Sequence, residues 1–357
     1  MIDIGTPISA LSTPVPVVDE DVVAINIGRV QRYMDEIGLS FRPHIKTHKI
    51  PALARRQLNA GAKGITCQKI SEATVFADAG IDDILITYNI IGEEKLKSLK
   101  DLHGKTSLSV VADNDPVIEG LAKTFSADNP LTVLVECDTG FGRCGVQSPE
   151  AALKLAQRID QCPTLRFGGL MSFPSPFSEQ RAESFYRATI DLLREHDLSC
   201  PVVSHGGTPS LFKTHEVPSA TEHRAGTYIY NDRAMMRDGH CGIAQCALFV
   251  LSTVISCPTE NRCVLDAGSK TLTSDLFGFD DFGLITDYPG ARITSLSEEH
   301  AVVDVSECGR KKPSVGEKVK ILPNHVCVVS NMFDRMIFHR DGLVTNVENI
   351  SARGLVW

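Results

Sequence analysis

The sequence predicts an α/β chain: a (β/α)8 TIM-type barrel over residues 14–240, then a mostly antiparallel β domain over 241–357 that also takes in residues 1–13. Three observations predict this. Up to Asp232, eight short apolar runs alternate with helical patterns. Beyond Asp232 the runs stay short and turn-bounded, with few convincing helices between them. At 357 residues, the chain is also longer than one ordinary domain.

In chain order, the expected barrel strands are Val15–Asp19, Ser40–Lys46, Gly64–Gln68, Asp83–Asn89, Ser107–Asp113, Leu131–Asp138, Arg166–Phe173 and Val202–Gly206. Between them, Ile50–Ala60, Ile70–Ala79, Pro149–Gln161 and Gln180–His196 carry apolar residues at helical spacing. Eight parallel βα units favour a closed barrel over an open sheet. The second domain should contribute Ala247–Ser256, Arg262–Asp266, Arg292–Ser297, Ala301–Val305, Lys318–Ile321, Val326–Val329 and Met336–His339 as strands. No internal repeat interrupts either part.

Composition narrows the function classes. Hydrophobic residues make up 43% and charged residues 22%, which fits a globular chain with a sizeable core. A formal net charge of −8 and the lack of a basic run argue against nucleic acid and anionic membrane partners. No stretch approaches the ~20 apolar residues of a membrane span. No basic start with an apolar stretch marks a signal peptide. The 11 scattered cysteines, with no CxxC pair, read as reduced thiols of a cytoplasmic protein.

Several short stretches carry potential chemistry. In Ser40–Lys49, His44, Lys46 and His48 stand at i, i+2 and i+4, so a continuous strand would put them on one face. An enclosed lysine loses hydration and becomes a usable nucleophile, and flanking imidazoles can move protons near neutral pH. The same spacing fits a polar strand end with Lys46 and Lys49 in solvent. Asp138–Gly145 holds three glycines around Arg143, a permanent cation at the barrel end where such folds build sites. His205, Gly206, Gly207 and Thr208, with Gly226, Thr227 and Tyr228 one element later, are expected to form a phosphate and ring pocket. Gln68, at a strand end, is expected to line it. Finally, His325 and Cys327 form an i, i+2 pair that on an extended segment points to one side. Imidazole and thiolate suit zinc better than magnesium or calcium.

Taken together, RPHIKTHK (42–49), GAKGITCQKISEA (61–73), ECDTGFGRCGV (136–146), GTYIYND (226–232), VLDAGSKTLTSD (264–275), LSEEH (296–300) and PNHVC (323–327) cover nearly the whole chain in order. The sequence therefore resembles the D-threonine aldolase and D-serine dehydratase family of fold-type III pyridoxal-phosphate enzymes, which have alanine-racemase-like barrels. The resemblance implies that Lys46 carries pyridoxal 5′-phosphate and that Arg143 hydrogen-bonds the cofactor's phenolic oxygen. It also implies that His325 and Cys327 hold a divalent metal, zinc being favoured over manganese or magnesium. A homodimer is expected on the same ground. One departure stands out: many relatives carry Tyr and Gly-His in the loop after the seventh strand, where this chain has Phe173 and no hydroxyl.

The implied activity is cleavage of D-3-hydroxy amino acids to glycine and an aldehyde. The alternative is dehydration of D-serine or 3-hydroxy-D-aspartate to a 2-oxo acid and ammonia. More distant readings are an amino-acid racemase, which has no use for the metal pair, and a non-catalytic cofactor carrier, which needs no second domain.

Overall fold

The computed structural model describes residues 2–357. In chain order it contains β1 (Val15–Asp19), α1 (Glu20–Glu36), β2 (Ser40–Phe41), α2 (Pro51–Asn59), β3 (Ile65–Cys67), α3 (Ile70–Asp78), β4 (Asp83–Ile86) and α4 (Glu93–His103). There follow β5 (Ser107–Ala112), α5 (Asp115–Thr124), β6 (Leu131–Glu136), α6 (Pro149–Asp160), β7 (Leu165–Met171), α7 (Glu179–Glu195), β8 (Val202–His205), β9 (Glu222–His223) and α8 (Arg233–Arg237). The remainder is β10 (Leu248–Thr259), β11 (Arg262–Leu265), α9 (Ser269–Leu272), β12 (Leu284–Ile285), β13 (Arg292–Leu296), β14 (Ala301–Asp304), β15 (Lys318–Leu322), α10 (Val326–Met332), β16 (Arg335–Arg340) and β17 (Leu343–Asn349).

Two compact units divide this chain. The barrel unit comprises residues 29–46, 51–226 and 355–357. The β unit comprises 2–28, 47–50 and 227–354. The sequence cut at 240/241 is therefore not where the chain changes unit, and residues 14–28 do not belong with the barrel.

In the barrel unit, eight parallel strands run in the order β2-β9-β8-β7-β6-β5-β4-β3. The ends meet through a parallel bridge between His44 and Thr66, with Thr66 N donating to Pro43 O at 2.8 Å. Strands buried on both faces read as continuous apolar runs, and Leu131–Glu136 is such a run. Leu85, Val111, Leu134 and Met171, one from each of β4 to β7, pack into one cluster. The covering helices start where side chains can cap them: Asn114 accepts from Val117 N at 3.1 Å, and Ser148 from Ala151 N at 3.3 Å. Gly169 lets β7 approach β8, since a Cβ there would lie 1.9 Å from Val202 O. Arg42 ties three strands together, with Nη1 2.7 Å from Asp83 Oδ1 and Nε 2.7 Å from Glu222 Oε2.

In the β unit, β11-β14-β13-β12-β15-β10 close into a ring because β10 also pairs with β11. The sheet then continues from β10 through β1 and β16 to β17. Residues near the N-terminus join its edge: Gly5 N donates to Val344 O and Ile8 N to Gly342 O, both at 2.8 Å. Ile8, Leu11, Val17, Leu251, Ile337 and Val344 form the core beneath this edge.

Three expected strands need correction. Val15–Asp19 pairs antiparallel with β10 and parallel with β16, so it is not a barrel strand, and Glu222–His223 takes the eighth barrel place. Apolar alternation marks a strand without naming its partner. Ser40–Lys46 is extended only at Ser40–Phe41, and Ile45–Thr47 is a 3₁₀ turn. Val326–Val329 is helical despite its β-branched run. The start of that helix is fixed from outside, because Val326 N donates to Asp232 Oδ2 at 3.2 Å.

Candidate active site

Because Ile45–Thr47 turns, the shared face expected for His44, Lys46 and His48 does not exist. His44 ends the strand register and Lys46 stands inside the 3₁₀ turn. His48 is fully buried in the β unit, where its Nδ1 accepts from Ile50 N at 3.0 Å. His44 and Lys46 stay together: Lys46 N lies 3.5 Å from His44 Nδ1. Gln68 Nε2 donates to Thr87 O at 2.9 Å, which aims its Oε1 at His44 Nε2, 3.1 Å away. Gln68 thus sets the His44 tautomer, with Nε2 carrying the proton.

The Gly-rich loop follows β8 and packs closely against neighbouring rings. Gly206 has φ +94°, and a Cβ there would strike the His223 ring at 2.0 Å. At Gly207 a Cβ would lie 2.7 Å from Phe173. Both positions are packed too closely against these rings to accept a side chain. Gly226 N donates to Thr208 Oγ1 at 3.2 Å, which brings the two expected halves of the pocket together. Thr227 and Tyr228, expected beside them, fall in the β unit, and Thr227 Oγ1 lies 3.9 Å from Cys327 Sγ.

His205 is wholly buried. Its Nδ1 meets Tyr186 Oη at 3.1 Å, and its Nε2 finds no hydrogen-bond partner among the described residues. Burial and then the Arg224 charge push it down to about 3, so the ring is neutral. Arg224 itself is buried, with Nε donating to Ser204 Oγ at 2.9 Å. At the end of β6, Glu136 is pushed up to about 7, first by burial and next by the Asp113 charge, with Arg143 and Arg224 opposing. Arg143 is exposed, its guanidinium 5.4 Å from the Phe141 ring centroid and 5.0 Å from that of Phe173. These residues fit pyridoxal phosphate on two observations: an orphaned buried imidazole nitrogen at His205 and an amine at Lys46.

The candidate metal ligands lie in the β unit, on a geometry the sequence did not foresee. His325 is the N-cap of α10 and Cys327 lies in its first turn, so they do not share an extended segment. They are nonetheless close enough for the Cys327 side chain to act directly on the His325 ring. Asp232 Oδ2 accepts from His325 Nδ1 at 2.8 Å, which turns Nε2 into the ligating nitrogen. Burial disfavours the His325 imidazolium, but Cys327 and Asp232 together outweigh it and push the ring up to about 10. A divalent ion would displace that proton. Thr47 Oγ1 lies 3.2 Å from Cys327 Sγ. Imidazole, thiol and an orienting carboxylate form a donor set suited to zinc.

Comparisons with known proteins identify the family. The model of the alanine racemase N-terminal domain matches residues 18–234, and a serine dehydratase domain model matches residues 247–339. The D-threonine aldolase of Arthrobacter sp. is 36% identical over 365 residues, covering 98% of this chain and 95% of its own. The chain belongs to the D-threonine aldolase and D-serine dehydratase family. Within that family, the crystal structure of D-threonine aldolase from Filomicrobium marinum superposes with a TM-score of 0.93 at 31% identity, covering 100% of both chains. A cysteine-to-alanine mutant of D-threo-3-hydroxyaspartate dehydratase, solved in its metal-free form, superposes with a TM-score of 0.87 at 27% identity, covering 96% of this chain and 99% of its own.

Sequence reasoning missed Asp232, Thr47, Arg224 and Glu136 as site residues. Asp232 lies within GTYIYND, where nothing local marks it as the partner of a histidine 93 residues away. Arg224 sits two residues before Gly226, in a loop whose glycines drew attention instead.

Proposed function

We propose that this protein is a pyridoxal-phosphate- and metal-dependent lyase of D-3-hydroxy amino acids, converting D-threonine to glycine and acetaldehyde. The observation that carries the reading is the Asp232–His325–Cys327 arrangement. A racemase needs no hydroxyl activation, whereas bond cleavage next to a 3-hydroxyl does.

Lys46 is the proposed cofactor lysine, with the Gly206–Thr208 loop and Gly226 at the phosphate. When bound, pyridoxal phosphate supplies an electron sink for a bond broken at Cα. A divalent ion, zinc in this reading, held by His325 and Cys327 would supply Lewis-acid polarisation of the substrate 3-hydroxyl. His205, held neutral, offers a hydrogen bond without adding charge. Gln68 keeps His44 in one tautomer beside the Lys46 backbone. Asp232 fixes the His325 plane, and Arg143 supplies a permanent cation for the cofactor's phenolic oxygen. Loss of the hydroxyl proton with Cα–Cβ cleavage, followed by return of a proton to Cα, gives glycine and an aldehyde. The reading includes a cytoplasmic homodimer, to be tested by light scattering.

A second reading is favoured by Cys327. The dehydratase relative known in metal-free form carries a cysteine-to-alanine change, which is consistent with a thiol near its metal. In that reaction Lys46 takes the Cα proton and the hydroxyl leaves, giving a 2-oxo acid and ammonia. Incubating the purified, cofactor-loaded protein with D-threonine decides between them. Glycine with acetaldehyde supports cleavage, 2-oxobutanoate with ammonia supports dehydration, and L-threonine formation would return the protein to the racemases.

A further inference from the structure

Phe277 occupies an unusual place. Its ring lies flat on His325, with centroids 4.4 Å apart and planes 6° from parallel. Its backbone is left-handed at φ +50°, a conformation that bulky residues avoid. Residues held so cluster where a side chain must point in one particular direction.

The surrounding loop enforces that direction. Phe277 N donates to Asp275 Oδ1 at 3.0 Å, and Phe277 O accepts from Arg237 Nη1 at 3.0 Å. Asn324, the residue before His325, donates through Nδ2 to Leu276 O at 3.2 Å and to Asp281 O at 2.7 Å. Thus the ligand-bearing segment and the Phe277 loop are tied at two carbonyls. The ring is still 38% exposed, and its neighbour Leu276 is 37% exposed. One face of Phe277 touches the candidate metal ligand while the rest of the ring remains open.

Nearby cations already have partners. Arg233 pairs with Asp281 and also donates to Asn324 Oδ1 at 3.1 Å. Arg237 pairs with Asp238, Nε to Oδ1, at 2.7 Å. Both guanidiniums also lie over the Phe279 ring, at 4.3 and 4.8 Å. A second carboxylate arriving here would meet an apolar ring and guanidiniums already neutralised.

We infer that Phe277 positions the His325 imidazole and forms the apolar wall for the substituent on the hydroxyl-bearing carbon, so that the preferred substrates carry alkyl or aryl groups there rather than a carboxylate. The substrate part of this inference rests on the lyase reading. The positioning part rests on the stacking geometry alone.

Phe277→Leu and Phe277→Ala separate the two roles, with thermal melting used to confirm that each folds. Leucine keeps an apolar wall but loses the flat ring, and alanine loses both. Zinc affinity is measured by chelator competition on metal-stripped, cofactor-loaded full-length protein. Aromatic stacking is worth about 0.5–1.5 kcal/mol, so both variants should bind zinc about 2- to 12-fold more weakly. kcat/KM is measured on D-threonine, D-3-phenylserine and 3-hydroxy-D-aspartate. Wild type should prefer the first two by roughly tenfold or more, in line with discrimination by an apolar pocket. Alanine should erase most of that preference through KM, and leucine should retain it. Unchanged zinc affinity and unchanged preference in both variants would overturn the inference, as would a wild type that favours 3-hydroxy-D-aspartate. If no D-3-hydroxy amino acid is turned over, the lyase reading falls, and the zinc measurement still decides whether Phe277 positions His325.

Discussion

Asp232 Oδ2 accepts from His325 Nδ1 at 2.8 Å and from Val326 N at 3.2 Å, so one carboxylate oxygen both aims the imidazole and starts the helix that carries Cys327. The other oxygen accepts from Met235 N at 2.9 Å and caps α8. Asp232→Asn keeps one acceptor oxygen, enough to cap α8 through Met235 N, but its amide nitrogen would then face His325 Nδ1 and Val326 N, which lose their acceptor. It should weaken the charge that orients His325. Loss of such a partner typically costs about 10- to 100-fold in metal affinity. Chelator competition on the folded variant reads this directly. Affinity within twofold of wild type would mean that Asp232 is only a helix cap.

Lys46 is expected to carry the cofactor, and the structure separates it from its neighbours. Lys49 Nζ donates to Ala352 O at 3.3 Å and is buried, while Lys69 Nζ sits 3.7 Å over the Tyr88 ring. Borohydride reduction of the loaded protein followed by peptide mapping should place the label on Lys46. A label on Lys49, Lys69 or Lys270 would require a different pocket.

Much of this was legible in the sequence, for identifiable reasons. Helices with strong apolar periodicity, such as Pro149–Asp160, matched expectation to within a residue. The Gly-rich loops were readable because positions such as Gly206 admit no side chain. What failed depended on partners distant in sequence. β1 looks like a barrel strand until β10 is seen beside it. Val326–Val329 looks like a strand until Asp232 supplies its cap. The His44–Lys46–His48 face rested on a regular strand, and Ile45–Thr47 coils instead.

Burial of His205 has a pH signature. The ring titrates at about 3 when folded and near 6.5 when unfolded. Between those values the unfolded chain binds a proton that the folded chain does not, so stability falls as pH drops from 6.5 towards 3. His223, also wholly buried and held well below its ordinary value, acts in the same direction. His205→Gln should remove one proton from this difference, flattening stability against pH by about 1.4 kcal/mol per pH unit near pH 5. Urea unfolding of the cofactor-free chain at pH 5 and pH 7 measures it. An unchanged slope would mean that His205 is protonated in the fold.

Arg143 offers the last test. It lies within cation–π distance of Phe141 and Phe173, whose rings meet edge-to-face at 4.9 Å. A planar guanidinium can stack on such rings while its N–H fork faces a phenolic oxygen, whereas an ammonium is a point charge without that plane. Phe173 thereby acquires a role despite lacking the tyrosine hydroxyl found in many relatives: it supports the arginine by its ring. Arg143→Lys keeps the charge and, at an exposed position, should keep the fold. Loss of an oriented donor at a site of this kind costs about 2–4 kcal/mol of transition-state stabilisation, roughly 30- to 1000-fold in rate. Phe173→Tyr should retain the ring contact and stay within about threefold of wild type, a shift of under 1 kcal/mol. Phe173→Ala should fall towards the lysine variant, because the arginine would lose one of its two supporting rings. If Arg143→Lys turned over D-threonine at the wild-type rate, Arg143 would serve only to balance the negative charges of Glu136 and Asp113 at the barrel end. The ring contacts would then be incidental to the chemistry.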